Sequence, residues 1–226
     1  MNSSKIRIMA DSFLLNAMLS LCGGYLDAYT YVVRDHVFAN TVTGNTVLLG
    51  IHLLDRNFGM CLRYLVPLAA FAAGAFLSSW VHQKDMDKAP YWRKEVLFLE
   101  IIVLTAVGFL PVTHNNIANA MVAFACALQA QTFRKVGSYT YASTMCTGNL
   151  RSCASALSLY IIGKDHEDLK RFGTMGGMIL AFMLGAGGGA LVSRVFGTYS
   201  VLVPVAVLFI LFSIMGRKRR QAEASA

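Results

Sequence analysis

The chain has 226 residues, 56% of them hydrophobic and only 14% charged, with a formal net charge of +8. Soluble domains carry roughly 25% charged residues, so the composition excludes an ordinary soluble domain and points to an integral membrane protein in contact with lipid. The basic residues lie mainly between long apolar runs and in Arg217-Lys218-Arg219-Arg220. That distribution signals topology and contact with anionic headgroups, not a nucleic acid partner.

At the N-terminus, Lys5 and Arg7 precede an apolar stretch in the manner of a signal peptide. No small-residue cleavage site follows, and the run leads into the polar region around Asp27. We therefore expect an uncleaved first span at 12–33, interrupted at Gly23-Gly24 and Asp27. A crossing helix needs about 20 mostly apolar residues. Five further segments meet that need: 64–83, 96–112 with Glu100 near its start, 117–133, 172–193 and 195–215.

Two other stretches, 37–54 and 138–163, begin with small polar residues and then turn apolar. Each reads as a backbone break followed by a short helix, with Thr, Gly and Asn at its start. They expose an internal repeat: Thr43-Gly44-Asn45 recurs as Thr147-Gly148-Asn149, which sets Asp27 opposite Gln131. Ala70, Gly74 and Ser78 match Ala181, Gly185 and Gly189 at the same four-residue spacing.

Charge decides how many times the chain crosses. If both Thr-Gly-Asn stretches cross fully, eight spans divide the Lys and Arg residues almost evenly and strand Arg151 inside the bilayer. If both are re-entrant, six spans leave only Arg34, Arg56, Arg63 and Arg194 outside, and all other Lys and Arg residues inside. The positive-inside rule favours six spans, with both termini cytoplasmic. Three spans per half is odd, so the halves must be inverted, a plan common in secondary transporters. The expected fold is an all-α integral membrane protein of about six transmembrane helices. Residues 1–115 form one inverted three-helix repeat, 116–216 the other, and 217–226 a basic cytoplasmic tail.

Irregular backbone at membrane depth is tolerated only when buried in protein or lining a wet cavity. Two re-entrant turns therefore imply a cavity near the midplane, with helix N-termini that favour an anion or a polar dipole. Candidate substrate-binding residues are Asp27, Asn40, Thr43, Gly44, Asn45, Gln131, Thr147, Gly148 and Asn149. The bland alternative is that the Thr and Asn residues only cap their half-helices. Asp27 is either a proton or cation carrier, or a helix cap or ion-pair partner of Arg34 or Arg134. Arg134 either grips an anion through its planar fork or reaches for the interface.

The remaining features are structural. Cys22, Cys61, Cys126, Cys146 and Cys153 form no C-x-x-C pair and no zinc spacing, so neither metal nor cofactor is expected. Gly173, Gly177, Ala181, Gly185 and Gly189 make a small-residue stripe. Such a stripe makes a close helix contact, with the Ala70-Gly74-Ser78 ladder or with a second copy of the chain. No paired carboxylates, Ser-His pair or metal cluster marks an enzyme.

Gly24-Tyr25-Leu26-Asp27-Ala28, Phe38-Ala39-Asn40 and Thr43-Gly44-Asn45 in the first half resemble the bacterial YoaK-type membrane proteins. So do Ala127-Leu128-Gln129, Phe133-Arg134 and Met145-Cys146-Thr147-Gly148-Asn149 in the second. The resemblance covers nearly the whole chain. It implies a multi-pass bacterial inner-membrane protein and supplies neither substrate nor site residues. The expected function is a secondary transporter or channel for a small polar or anionic solute. The rival is a membrane scaffold or assembly factor in which the repeats serve packing alone.

Overall fold

The computed structural model describes residues 11–84 and 92–224, and these are almost wholly helical. Helix α1 (Phe13–Val33) is followed by the short α2 (Val42–Leu54), the long α3 (Phe58–Lys84) and α4 (Trp92–Phe109). A 3-10 turn leads into α5 (Asn115–Thr132), and a small hairpin of β1 (Lys135–Val136) and β2 (Tyr139–Thr140) precedes α6 (Cys146–Gly163). Helix α7 (His166–Phe196), a second 3-10 turn and α8 (Leu202–Ala224) complete the order. Lys5, Arg7 and Lys88, counted above for topology, lie outside the described residues.

Local chemistry sets several boundaries. The Ser12 hydroxyl accepts from the Leu15 N–H and starts α1, and Asn57 accepts from the Met60 N–H and starts α3. Asp165 caps α7, with Glu167 and Asp168 in its positively poled first turn. Helix α7 ends where Gly197 takes a positive φ of 55°.

Contacts between helices fix their relative directions. Phe13, Leu21 and Tyr25 of α1 lie against Gly177, Gly185 and Gly189 of α7, so these two run parallel. Gly74 of α3 lies against Phe124 and Ala127 of α5, and Ser78 bonds to Thr132, so this pair is parallel as well. Helices α1 and α5 are antiparallel: Gln129 reaches the Leu19 carbonyl and Asn119 the Arg34 carbonyl. Helix α8 runs against α4, with Leu202 beside Gly108 and Phe212 beside Phe98. The pairing is reciprocal. The first helix of each half packs on the long helix that follows the short one in the other half.

Polar side chains are buried within a largely apolar core, while many large apolar side chains stand on the outside. Phe76, Leu54, Ile162, Val195 and Leu191 stand exposed, while Asn16, Asp27, Thr30, Arg34, Glu100, Asn119 and Gln129 are buried. An apolar outer surface of this kind belongs against lipid. By length and composition, two stretches suffice to cross a membrane: Phe58–Gln83 and the continuous His166–Met215. These contain three of the six expected spans. The other three, now α1, α4 and α5, are less apolar, because polar residues on them are turned into the bundle or crowd the start of α4.

Two expectations need correction. Helix α1 is unbroken through Gly23, Gly24 and Asp27. A side chain at Gly24 would run into the Phe182 carbonyl, so that glycine serves close packing and not unwinding. The small-residue stripe of α7 meets neither the Ala70-Gly74-Ser78 ladder nor requires a second copy: Gly185 and Gly189 face the backbone of Leu21 and Tyr25. Helix α8 continues without a break into the basic tail, as far as Ala224.

Candidate functional site

The two Thr-Gly-Asn turns come together. Each asparagine of the motif first organises its own turn, in the same way. The Asn45 amide donates to the Phe38 carbonyl at 2.9 Å, and the Asn149 amide donates to the Ala142 carbonyl at 2.8 Å. Both reach seven residues back. Asn149 also accepts from the Ala142 N–H. These clamps hold an extended loop ahead of each short helix and satisfy backbone groups that lipid cannot satisfy.

Asp27 holds the first loop in place. It is buried, and its carboxylate accepts from the Asn40 N–H at 3.1 Å and from the Thr41 hydroxyl at 3.4 Å. The chain leaving α1 must therefore fold back beside Asp27, two turns below the end of that helix, before α2 begins. Asp27 pairs with neither Arg34 nor Arg134 among the described residues. Arg34 is fully buried and spends its guanidinium elsewhere. It donates to the Tyr29 hydroxyl, to Asn115 and to the Val107, Leu110 and Pro111 carbonyls. It thus neutralises the carbonyl end of α4.

On the second side the matching task falls to Gln129, not to Gln131. The buried Gln129 amide donates to the Ser143 hydroxyl at 2.9 Å and to the Leu19 carbonyl at 3.2 Å. Gln131 bonds to Ser79 on α3 and lines the wall of a cavity. Only the packing against α1 separates the roles of these two glutamines, and motif spacing does not carry it.

Between the turns runs one direct link: the Asn40 amide donates to the Thr144 carbonyl at 2.7 Å. Around it, three buried polar atoms have no partner among the described residues: Asn40 Oδ1, Thr144 Oγ1 and Gln129 Oε1. Buried polar atoms in native proteins are nearly always paired, so such a cluster calls for an occupant. Gly23 lies beside it, where a Cβ would press on Ser143 and Thr144. Thr43, Gly44, Thr147 and Gly148 start the short helices but make no hydrogen bond across the junction among the described residues; Asn40 does, and Thr144 is the partner that motif reading missed.

Beside this junction opens a cavity of about 640 Å³, lined among others by Gln131, Arg134, Tyr139, Asn149, Arg151 and Arg171. A second one of about 550 Å³ shares Gln131, Arg134 and Thr140 with it. Elsewhere, Glu100 is fully buried in α4 with both carboxylate oxygens unpartnered, within electrostatic reach of Cys22 and Cys126. It faces the bundle interior and not the headgroups. No group of three His, Cys, Asp or Glu side chains suited to a metal exists among the described residues.

Comparison with known proteins finds a family of unknown function and a transmembrane relative. The profile of the family described as "Protein of unknown function (DUF1275)" matches residues 15–214. The chain is 25% identical over 205 residues to the UPF0700 transmembrane protein YoaK of Bacillus subtilis (strain 168), covering 86% of this chain and 90% of that protein. No solved structure matches.

Proposed function

The chain belongs to the DUF1275 family, and we propose that this membrane protein is a secondary transporter or channel for a small polar or anionic solute, not an enzyme. Its halves are two inverted repeats in the bacterial inner membrane. Helices α1, α3 and α4 are the spans of one half and α5, α7 and α8 those of the other, with α2 and α6 re-entrant. Helix directions support this arrangement. Helices α1, α4 and α7 point one way and α3, α5 and α8 the other, so the second half repeats the first upside down. The start of α2 lies at the depth of Asp27, and its end is joined to α3 by a short turn on the side where α1 ended. Helix α6 does the same from the other face, beginning near Gln129. Six crossings return both termini to one side. The concentration of Arg93, Lys94, Arg134, Lys135, Arg151 and Arg171 on that side favours the cytoplasm.

One observation carries the functional reading: the unpartnered Asn40 Oδ1, Thr144 Oγ1 and Gln129 Oε1 where the two turns meet. A scaffold needs the clamps made by Asn45 and Asn149, but it has no use for unsatisfied polar atoms in its core, each of which costs about 1–3 kcal/mol. A path for a hydrated solute satisfies them in passing. Broken helices converging from opposite faces are the usual setting of such a site. Asp27 is placed to couple passage to a proton, since its carboxylate holds the loop that carries Asn40.

The test is flux. Purified protein in liposomes is given radiolabelled phosphate, acetate, succinate and glycine, with and without a proton gradient. Accumulation of at least one probe, abolished by Thr144→Val and Asn40→Ala in folded protein, is the expected result. Well-folded protein that moves none of them, with or without a gradient, overturns the reading in favour of the scaffold.

A further inference from the structure

The cavity beside α6 is lined by three arginines from three different elements. Arg134 follows the end of α5, Arg151 lies in the second turn of α6, and Arg171 lies in the second turn of α7. No Asp or Glu lines it. None of the three guanidinium groups makes an ion pair with another described residue. Glu167, a nearby acid, is engaged instead by the Tyr139 hydroxyl at 3.0 Å and by Lys170 at 3.6 Å. The remaining polar lining, including Gln131, Ser152 and Tyr139, is neutral.

Topology alone does not produce this arrangement. The positive-inside rule sets which side of the membrane basic residues occupy, and snorkelling directs them outward to headgroups. Neither gathers three of them around one concavity. The internal repeat does not require them either, because the first-half counterparts of Arg134 and Arg151 are Thr30 and Val47. The smaller cavity of the first half, with Asp35 and Arg63, has its charges paired with each other at 3.8 Å. A guanidinium offers a planar fork matched to carboxylate and phosphate oxygens, and three around about 640 Å³ leave room for a small multivalent oxyanion.

We propose that this cavity is an oxyanion-binding vestibule, in which Arg134, Arg151 and Arg171 hold a carboxylate or phosphate group next to the α6 turn. The inference deepens the transport reading by naming the charge class of its ligand, but binding stands on its own and is measured without flux. The oxyanion has two sources: a free solute or a phospholipid headgroup.

Full-length protein in neutral, lipid-free detergent is titrated with inorganic phosphate and with succinate by calorimetry, against sodium chloride at equal ionic strength. Saturable binding above the chloride control is expected. It should weaken at least tenfold in Arg134→Gln, Arg151→Gln and Arg171→Gln, and stay unchanged in Arg194→Gln, a cation remote from the cavity. Arg151→Lys guards against misfolding: it keeps the charge, loses the fork, and should bind measurably more weakly while eluting as a single folded peak. In a second arm, nanodiscs of phosphatidylglycerol are compared with phosphatidylcholine. Phosphate binding suppressed only by phosphatidylglycerol assigns the vestibule to a lipid headgroup; binding that survives in both assigns it to a free solute. Equal affinity in wild type and all arginine variants, or no saturable binding in detergent together with no difference in lipid retention by native mass spectrometry, overturns the proposal. Binding without flux would leave the vestibule standing and remove the transport reading alone.

Discussion

Asn40 and Thr144, one from each half of the chain, are joined side chain to backbone across 2.7 Å at the point where the two polar turns meet. This is the only direct hydrogen bond between the two turns among the described residues, and it comes from an amide whose other atom, Oδ1, has no partner there. Replacing Asn40 by Ala removes the link and leaves the Thr144 carbonyl dependent on water. The expected loss is about 1–3 kcal/mol, read as a lowered melting temperature in detergent. Asn45→Ala and Asn149→Ala should each cost a similar amount, since they perform matching clamps. An unshifted melt for all three would mean the turns are held by packing alone.

Arg34 makes a sharper prediction because all its donors are committed to α4 carbonyls, Tyr29 and Asn115. Arg34→Lys keeps the charge but offers three donors from one point and loses the fork. It should destabilise nearly as much as Arg34→Ala, by about 3 kcal/mol or more, because a buried unpaired group remains in either case. Recovery of wild-type stability by lysine would show that only charge matters there.

Much of this architecture was legible in the sequence, and the reasons are local. Apolar runs located the long helices, and the repeated Thr-Gly-Asn located the starts of α2 and α6 within a few residues. What failed was whatever depends on a partner distant in the chain. Gly23-Gly24 reads equally as a break or as a close contact; only the neighbouring Phe182 carbonyl decides for contact. Gln131 sits at the repeat position of Asp27, yet Gln129 does the holding, because its side of α5 is the one turned to α1 and Ser143. Thr144 offered no signal of its own: its role is created by Asn40. Arg34 and Asp27 sit close in sequence and invited pairing, but the bend of the loop after α1 sends them to different neighbours.

The contact between α1 and α7 leaves no room for a side chain at Gly185, where a Cβ would overlap the Leu21 backbone. Gly185→Leu must push the two helices apart along their whole interface, which also holds Gly24 and Gly189. We expect failure to assemble, seen as aggregation by size exclusion and loss of expression. Gly188→Leu, where nothing lies nearby, serves as the control and should be tolerated. If Gly185→Leu elutes and melts like the parent, α7 does not pack on α1 as described.

The six-span arrangement is tested by side-specific labelling. In a background with Cys22, Cys61, Cys126, Cys146 and Cys153 replaced, single cysteines at Arg56 and Lys88 should react from opposite sides of sealed vesicles, Lys88 from the cytoplasmic one. Arg56 lies in the turn between α2 and α3, so a re-entrant α2 puts it on the side where α1 ends. A fully crossing α2 exchanges the two sides, putting Arg56 in the cytoplasm and Lys88 outside. Labelling of Arg56 from the cytoplasmic side and Lys88 from outside would therefore eliminate re-entry of α2.

Among the described residues, Asp27 and Glu100 are the two carboxyls buried in the helical core, and their surroundings assign them different parts. Asp27 has two donors, from Asn40 and Thr41, and sits at the junction of the turns. Glu100 has none among the described residues and shares its helix with the buried Leu97 and Leu104. An asparagine at 27 can keep both contacts: its Oδ1 accepts from the Asn40 N–H, and its Nδ2 donates to the Thr41 oxygen. Asp27→Asn should therefore fold with little loss of stability, while any coupling that needs a proton to come and go disappears. Glu100→Gln exchanges an unpartnered carboxyl for an unpartnered amide of the same shape, so it too should fold. Uptake per folded molecule, with folding scored by elution profile, separates the two. Gradient-driven uptake abolished in Asp27→Asn but retained in Glu100→Gln assigns coupling to Asp27. The reverse pattern moves coupling to Glu100, some way from the turns, and leaves Asp27 as the residue that holds the loop. Full gradient-driven uptake in a well-folded Asp27→Asn protein removes it from coupling altogether.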